Sequence, residues 1–333
     1  MKIILNDSLQ PYFNLAAEEY LLENSDGDIF MLWRNSASVI IGKNQNAWAE
    51  VNTDFTEAKG IPVVRRLTGG GAVFHDPGNV NFTFITDDKE DTGIDFGRFV
   101  SPVITALSKL GISAAADGRN DILCDGFKIS GNAQCKYRCA DGRVRVMHHG
   151  TLLYNADLGR LAGALRVNEE KLRSKGIRSV SSRVKNIKEL GSMAMSAEEF
   201  CQALKEYAEA EYGCAARGLT AEEISGIDAL AQTKYSTWEW NFGKSPEIED
   251  SRSKRFPWGT AEIGYTLDRG VIVSCSIRGD FFGVDEVSVM ERALAGCRFE
   301  IGAVADALAA VDVGRVISGA AAEDITDLLF GQN

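Results

Sequence analysis

The sequence predicts an α+β fold, with a strand-rich core flanked by helices in a large N-terminal part and a small α+β domain at the C-terminal end. Three observations point there. Short apolar runs separated by turn residues recur from Ile3 to Thr151, as in a strand-rich core. Asp125-Gly126 and Asp141-Gly142 are hairpin turn pairs. Helical patterns stand beside these runs instead of alternating with them, so a doubly wound parallel sheet is not indicated.

The elements follow in order. Ile3 to Asn6 reads as a strand, and Pro11 to Glu23 as a helix with Phe13, Leu15, Ala16, Ala17, Tyr20 and Leu21 on its apolar side. Ile29 to Arg34 and Ser38 to Gly42 read as strands, and Phe55 to Lys59 as a brief helix. An apolar run (Ile61, Val63, Val64) and the run Asn81 to Ile85 flank a glycine loop; a hairpin is expected there. Phe99 to Leu110 is a helix ended by Gly111. Leu158 to Leu165 and Glu169 to Lys175 suggest helices. Ser196 to Tyr212 is a stronger one, because Glu199 completes a capping box with Ser196. Beyond a cluster of Trp238, Trp240, Phe242, Pro246, Pro257 and Trp258, the strands Ala261 to Thr266 and Val271 to Ile277 pair across Asp268-Arg269-Gly270. Helices near Val287 to Leu294, Ile301 to Ala310 and in the last fifteen residues complete the chain. The expected domains are 1–245 and 248–333.

Composition narrows the function. The 333 residues suffice for two domains. There is no signal-peptide pattern and no apolar run of membrane-spanning length, so a cytoplasmic protein without a membrane partner is expected. Seven cysteines, an odd number, argue against a disulfide framework. Cys135 and Cys139 with His148 and His149 make a poor zinc pattern. The net charge of -11 does not suit a nucleic-acid binder. Yet Arg166 to Leu190 holds eight Lys/Arg against three Glu, either a solvated face or one that meets an anionic ligand or acidic partner.

The most informative stretch is Arg65-Arg66-Leu67-Thr68-Gly69-Gly70-Gly71-Ala72-Val73-Phe74-His75-Asp76. Three residues without Cβ allow close backbone approach, and successive N–H groups can form an anion nest beside two arginine forks. The alternative is a tight hairpin with surface arginines. Lys128, between an Asp-Gly turn and Ser130-Gly131, can hold a phosphate or carboxylate as a point charge, or can be an edge-strand lysine. Asp121 on a short turn can help hold Mg²⁺ or cap the turn. His148 and His149 follow the next short strand as ligand contacts or as core histidines. Walker, dinucleotide-fold and kinase motifs are absent. The residues alone point to an enzyme for an anionic ligand, a class that includes nucleotides.

These motifs resemble the lipoate–protein ligase A family, within the biotin/lipoate ligase fold. The resemblance runs through Phe13 to Glu19, Trp33-Arg34-Asn35, Val39 to Asn46, the glycine loop, Asn79 to Phe84, Gly118 to Asp121, Lys128 to Gly131, His148 to Leu153, Lys175-Gly176-Ile177, Ser181 to Asn186 and Trp238 to Gly243. It implies a biotin/lipoate ligase-like mixed-sheet catalytic domain with an accessory C-terminal domain. It implies ATP-dependent activation of free lipoate to lipoyl-AMP, and transfer to a lysine of lipoyl domains of 2-oxoacid dehydrogenase complexes or of the glycine-cleavage H protein. ATP, Mg²⁺ and lipoate are the implied ligands, and a monomer is expected. By the resemblance, Lys128 is the active-site lysine, meeting the lipoate carboxylate and α-phosphate. Arg66 and Thr68 line the carboxylate/phosphate region, Gly69, Gly70 and Gly71 shape the pocket, and Ala72, Val73 and Phe74 border the nucleotide. Asn79 and Asp121 sit near adenylate phosphate or Mg²⁺, and His149 lines the lipoyl side.

One departure stands out: where some relatives have a ligand-holding arginine, this chain has Cys135, with Lys136 and Arg138 as substitutes. The rival readings fit less well. An octanoyltransferase would place a cysteine near Ala114 to Ala116, a biotin ligase would carry a G-R-G-R-x-x-R-x-W type loop, and a catalytically silent paralogue would not keep Arg66, Asp121 and Lys128.

Overall fold

The computed structural model describes residues 1–88, 93–118, 120–166, 183–191, 193–243 and 250–331. The expected Glu169–Lys175 helix, the Lys175-Gly176-Ile177 motif, most of the basic segment and the boundary near 245–248 lie outside them. The architecture is α+β, as predicted.

The described residues form a seven-stranded sheet of order β1-β2-β6-β10-β9-β8-β7. These are Lys2–Asn6, Ile29–Trp33, Asn79–Asp87, Val144–Leu153, Phe127–Arg138, Asp121–Cys124 and Ala114–Asp117, in that spatial order. β1 and β2 run parallel and the other neighbours antiparallel, so the sheet is mixed. Both Asp-Gly pairs turn hairpins. Asp125 and Gly126 have φ of 50° and 78°, the left-handed pair that a two-residue turn matched to strand twist requires.

The glycine loop corrects one expectation. It does not close a hairpin, because the strands flanking it do not pair with each other. β3 (Ser38–Ile41) lies between β4 (Val63–Arg65), which it pairs in parallel, and β5 (Val73–His75), which it pairs antiparallel. The loop therefore crosses over β3, and the run at Asn81 belongs to the other sheet. Periodicity marks strands but does not name their partners.

The Pro11–Asn24 helix starts on Pro11, whose missing N–H costs nothing in the first turn. Its buried Asn14 joins three segments, donating to the Ser8 and Arg34 carbonyls and to Asn35 Oδ1 at 2.8 Å each. The helix is thereby fixed against β2. The Ala197–Tyr212 helix has the predicted capping box.

The C-terminal residues build a separate core around Trp258, Ile263, Phe281, Met290, Leu308 and Ile325. β11 (Asp250–Phe256), β12 (Gly259–Asp268) and β13 (Val271–Gly279) form an antiparallel meander, packed with helices at Ser288–Leu294, Ile301–Ala309 and Ala322–Phe330. The residue 250–256 stretch, not among the expected strands, is a strand because its cross-strand partner on β12 lies beyond the Pro257-Trp258 turn.

Candidate active site

A cavity of about 310 Å³ opens between the two sheets and the end of β13. One part of its wall is apolar, with Leu15, Trp33, Ile40, Val73 and Ala133. Another carries Asn120, Asp121, Lys128 and Arg183. Among the described residues, five basic side chains (Arg66, Lys128, Arg166, Arg183, Arg255) and three acidic ones (Glu50, Asp121, Asp280) line it, in a chain of net charge -11. An amphiphilic acid followed by phosphates suits such a wall.

Lys128 is aimed by the sheet. It lies in β9 directly across from Leu123 in β8, and the register slips between Ile122 and Leu123. A bulge of this kind re-aims side chains. Gly131 makes room: a Cβ there would lie 3.1 Å from Lys128 Nζ. Lys128 Nζ then reaches Asp121 Oδ1 at 2.6 Å, while Arg183 Nη2 bonds Asp121 Oδ2. The described end of the basic segment is tied here by Lys128 N–H to the Arg183 carbonyl, 2.8 Å. Asp121 begins β8 instead of sitting on a turn. Its two oxygens serve two cations, and among the described residues no group of three His, Cys, Asp or Glu stands close enough to hold a metal. The described residues offer no ready metal cage; a hydrated Mg²⁺ beside them would be held largely by phosphate oxygens.

The two arginines before the glycines are buried, not surface residues. Arg65 donates to the carbonyls of Gly42, Lys43, Gln45, Trp240 and Asn241, which makes it a structural strap. Arg66 shapes the loop: Nη2 reaches the Gly69 and Gly71 carbonyls at 2.7 and 2.8 Å, and Nε the Thr68 hydroxyl at 2.9 Å. Burial pushes both down to about 10, so both remain charged near neutrality.

Thr68 links Arg66 to His149, whose Nε2 is 2.8 Å from Thr68 Oγ1. His149 Nδ1 is 2.8 Å from Glu18 Oε1, which also accepts from Thr83 Oγ1 at 2.7 Å. The chain of partners assigns donors and acceptors: Nδ1–H to Glu18, Thr68 O–H to Nε2, Arg66 Nε–H to Thr68. Both histidines lie inside β10, not after a strand. His148 instead stacks on Phe99, ring centroids 5.0 Å apart, as a core residue.

Of the expected residues, Arg66, Gly70, Gly71, Ala72, Val73, Phe74, Asp121, Lys128 and His149 line the cavity. Thr68, Gly69 and Asn79 do not. Thr68 stands behind Arg66 and His149. Asn79 is fully buried and donates to Asn81 Oδ1 at 2.7 Å, and it is Asn81 that lines the wall. Gly69 lies under the C-terminal domain, where a Cβ would be 2.3 Å from the Phe281 carbonyl oxygen. Gly70 N–H donates to that same oxygen at 3.1 Å, so this donor of the expected nest is already in use. No cysteine lines the cavity; Cys135 is buried and its thiol is pushed up to about 12. Sequence reasoning passed over Glu18, although it stands in a quoted motif, and it passed over Arg255, Asp280 and Phe282.

Residues 10–209 match the family described as lipoyl protein ligase A/B catalytic domain, and residues 245–329 the bacterial lipoate protein ligase C-terminus. The chain is 41% identical over 330 residues to lipoate-protein ligase LplJ of Bacillus subtilis, covering 96% of this chain and 97% of that one. It is 42% identical over 316 residues to lipoate–protein ligase 1 of Staphylococcus aureus, covering 94% and 95%. A P. falciparum protein in complex with lipoate shares the fold, with TM-score 0.78 at 23% identity over 98% of this chain and 97% of that one. An archaeal bipartite lipoate protein ligase, described with its E2 lipoyl domain from Thermoplasma acidophilum, has TM-score 0.62 at 30% identity, covering 75% and 100%. A lipoate-protein ligase A bound with ATP has TM-score 0.60 at 28% identity, covering 73% and 98%.

Proposed function

The chain belongs to the lipoate–protein ligase family, and from that premise we propose which of its residues carry the reaction. The enzyme activates lipoate with ATP and transfers the lipoyl group to a lysine of an acceptor lipoyl domain. In the first step a lipoate carboxylate oxygen bonds to the α-phosphorus and the bond to the β-phosphate bridge breaks, releasing pyrophosphate. In the second the acceptor amine attacks the carbonyl carbon, the carbon–oxygen bond to AMP breaks, and the amine loses a proton.

The cluster of Lys128 and Arg183 on Asp121 carries this reading. Two cations around one carboxylate leave a net positive charge where carboxylate and α-phosphate meet, so charge that builds on phosphate is met by donors already in place. Arg66 keeps the glycine loop in shape through backbone carbonyls, so its role is positioning. Glu18, His149 and Thr68 hold that arginine from behind, and of the three His149 lines the lipoyl side. Ala72, Val73 and Phe74 border the nucleotide, and Thr68, Gly69 and Asn79 support the wall without touching ligand. Mg²⁺ would accompany ATP and neutralise phosphate charge, with Asp121 as the protein carboxylate nearest to hand.

Two finer points belong to the same reading. The acceptors are lipoyl domains of 2-oxoacid dehydrogenases and the glycine-cleavage H protein, met by a monomer. The catalytic domain is 1–245 and the accessory domain 248–333, supported by their separate cores. No helix among the described residues is long and apolar enough to cross a membrane.

The test is the intact mass of an apo lipoyl domain after incubation with enzyme, ATP, Mg²⁺ and lipoate. A lipoyl mass increase that requires ATP is expected. No increase, together with no lipoyl-adenylate, would overturn the assignment.

A further inference from the structure

The C-terminal domain contributes charge as well as cover to the cavity. Its β13 ends against the glycine loop: Gly279 N–H donates to the Asn44 carbonyl at 2.9 Å, and Gly70 N–H to the Phe281 carbonyl at 3.1 Å. The Phe282 ring lies over Gly70, 2.8 Å from where a Cβ would stand. In this roof sits Arg255 of β11, with 18% of its side chain exposed. Arg255 Nη1 donates to Thr260 Oγ1 at 2.8 Å and to Asp280 Oδ1 and Oδ2 at 3.0 and 3.2 Å. Asp280 is held in turn by the Thr260 N–H at 2.6 Å. All the Arg255 bonds use Nη1; among the described residues none is made by Nε or Nη2. A guanidinium oriented at one corner presents its remaining donors in a fixed geometry, the arrangement that suits phosphate oxygens.

Three of the other cations of the cavity are committed elsewhere, and the fourth, Arg166, is exposed at the Glu50 side, where its backbone N–H donates to the Glu50 carbonyl. Lys128 and Arg183 share Asp121, and Arg66 is turned to the loop carbonyls. We infer that Arg255, supplied by the C-terminal domain over Gly70 and Gly71, takes the β- and γ-phosphates of the nucleotide and stabilises the pyrophosphate that leaves. The inference rests on the ligase reading. In the adenylation step the lipoate oxygen bonds to the α-phosphorus while the bridging oxygen departs with the bonding electron pair. The added negative charge appears on pyrophosphate, and Arg255 meets it there. The transfer step breaks only the bond to AMP, so Arg255 has no charge to stabilise in it. Asp280 is a positioning residue for Arg255.

The two half-reactions separate these roles. In the full chain, Arg255→Ala lowers lipoate-dependent ATP–pyrophosphate exchange about 100-fold. By calorimetry it weakens binding of pyrophosphate itself about tenfold. Transfer from chemically supplied lipoyl-adenylate to an apo lipoyl domain stays within about twofold of wild type, because adenylate bound at Lys128 does not need the cation. Asp280→Asn loses much less exchange than Arg255→Ala, since the guanidinium remains. If exchange and transfer fell together, or if both variants lost equally, Arg255–Asp280 would be only an interdomain strut and the inference would fail. Unchanged pyrophosphate affinity in Arg255→Ala would also overturn it. A wild-type enzyme that formed no lipoyl-adenylate would remove the ligase reading and this inference with it.

Discussion

Mild acid should destabilise this protein through two histidines, and the size of the loss follows from their burial. His75 is pushed down to about 3 by burial, and then by the neighbouring His149 and Arg66. His148 is pushed down to about 3 by burial and then by His149. Neither ring can gain a proton in the fold at pH 5, whereas in the unfolded chain both titrate near 6.5. Between these values the unfolded state binds more protons, so acid favours it. The stabilisation is complete above about pH 6.5 and is lost as pH falls toward 3. Each histidine contributes a slope approaching 1.4 kcal/mol per pH unit, so moving from pH 7 to pH 5 removes about 2 kcal/mol per ring and about 4 kcal/mol together. Carboxylates held low by ion pairs, such as Glu223 beside Arg217, act mainly below about pH 5 and leave this window to the histidines. Urea unfolding at pH 7, 6 and 5 reads the effect. His148→Phe supplies the internal control, since the ring already stacks among Phe82, Phe96 and Phe99 and its Nδ1 has no partner. That variant should lose about half as much as wild type. A wild-type loss under about 1 kcal/mol, or equal slopes in both proteins, would show that the rings are not held neutral as argued.

Three further outcomes follow from the site. Lys128→Met should lower lipoate-dependent pyrophosphate exchange about 100-fold or more while circular dichroism stays unchanged; wild-type exchange would remove Lys128 from the chemistry. Glu18→Gln withdraws the carboxylate facing His149 and Arg66, and leaving a buried arginine without its opposite charge should cost about 3 kcal/mol in urea unfolding. A loss below about 1 kcal/mol would mean that the backbone carbonyls alone satisfy Arg66. Gly69→Ala forces a methyl to 2.3 Å from the Phe281 oxygen, where ordinary contact begins near 3.4 Å. Loop and C-terminal domain must part by about 1 Å, at about 2 kcal/mol and with a slower adenylation step; a stability within about 0.5 kcal/mol of wild type would show that the roof yields freely.

The sequence was readable where the physics is local. Asp125-Gly126 dictates a tight turn, and that turn starts β9 with Lys128 at its second position. Ser196 and Glu199 close a capping box within one helical turn. The glycine run announced close approach, and Gly69 meets Phe281 so. What approaches it was not readable, because a glycine records only that a side chain would not fit. The same limit explains the misplaced hairpin: Val63 and Val64 are apolar whether they pair with β3 or β6. Glu18 was hidden for a third reason. On a helix it reads as one more surface acid, and only the placement of that helix against β6 and β10 turns it inward to Thr83 and His149.

The paired arginines show how such hidden partners decide a residue's role. Adjacent in sequence and identical in type, Arg65 and Arg66 point into different surroundings: Arg65 is the last residue of β4, and Arg66 is the first beyond it, where the chain turns into the glycine loop. Arg65 meets five backbone carbonyls and fastens the turn after β3 to the Trp238–Asn241 helix. Arg66 meets loop carbonyls on one side and the Thr68–His149–Glu18 chain on the other. Neither needs a ligand to satisfy most of its donors, so the basic motif most conspicuous in the sequence is mainly scaffold. On the reading proposed above, the cations that face the ligand come from elsewhere: Lys128 from a bulged strand, Arg183 from the segment tied beside it, and Arg255 from the second domain. Adenylation needs charge at the carboxylate and at the leaving phosphates together. On that proposal the site holds both while the C-terminal strand end rests on the glycine loop, and the contact of Gly70 with Phe281 then serves the reaction as well as the fold.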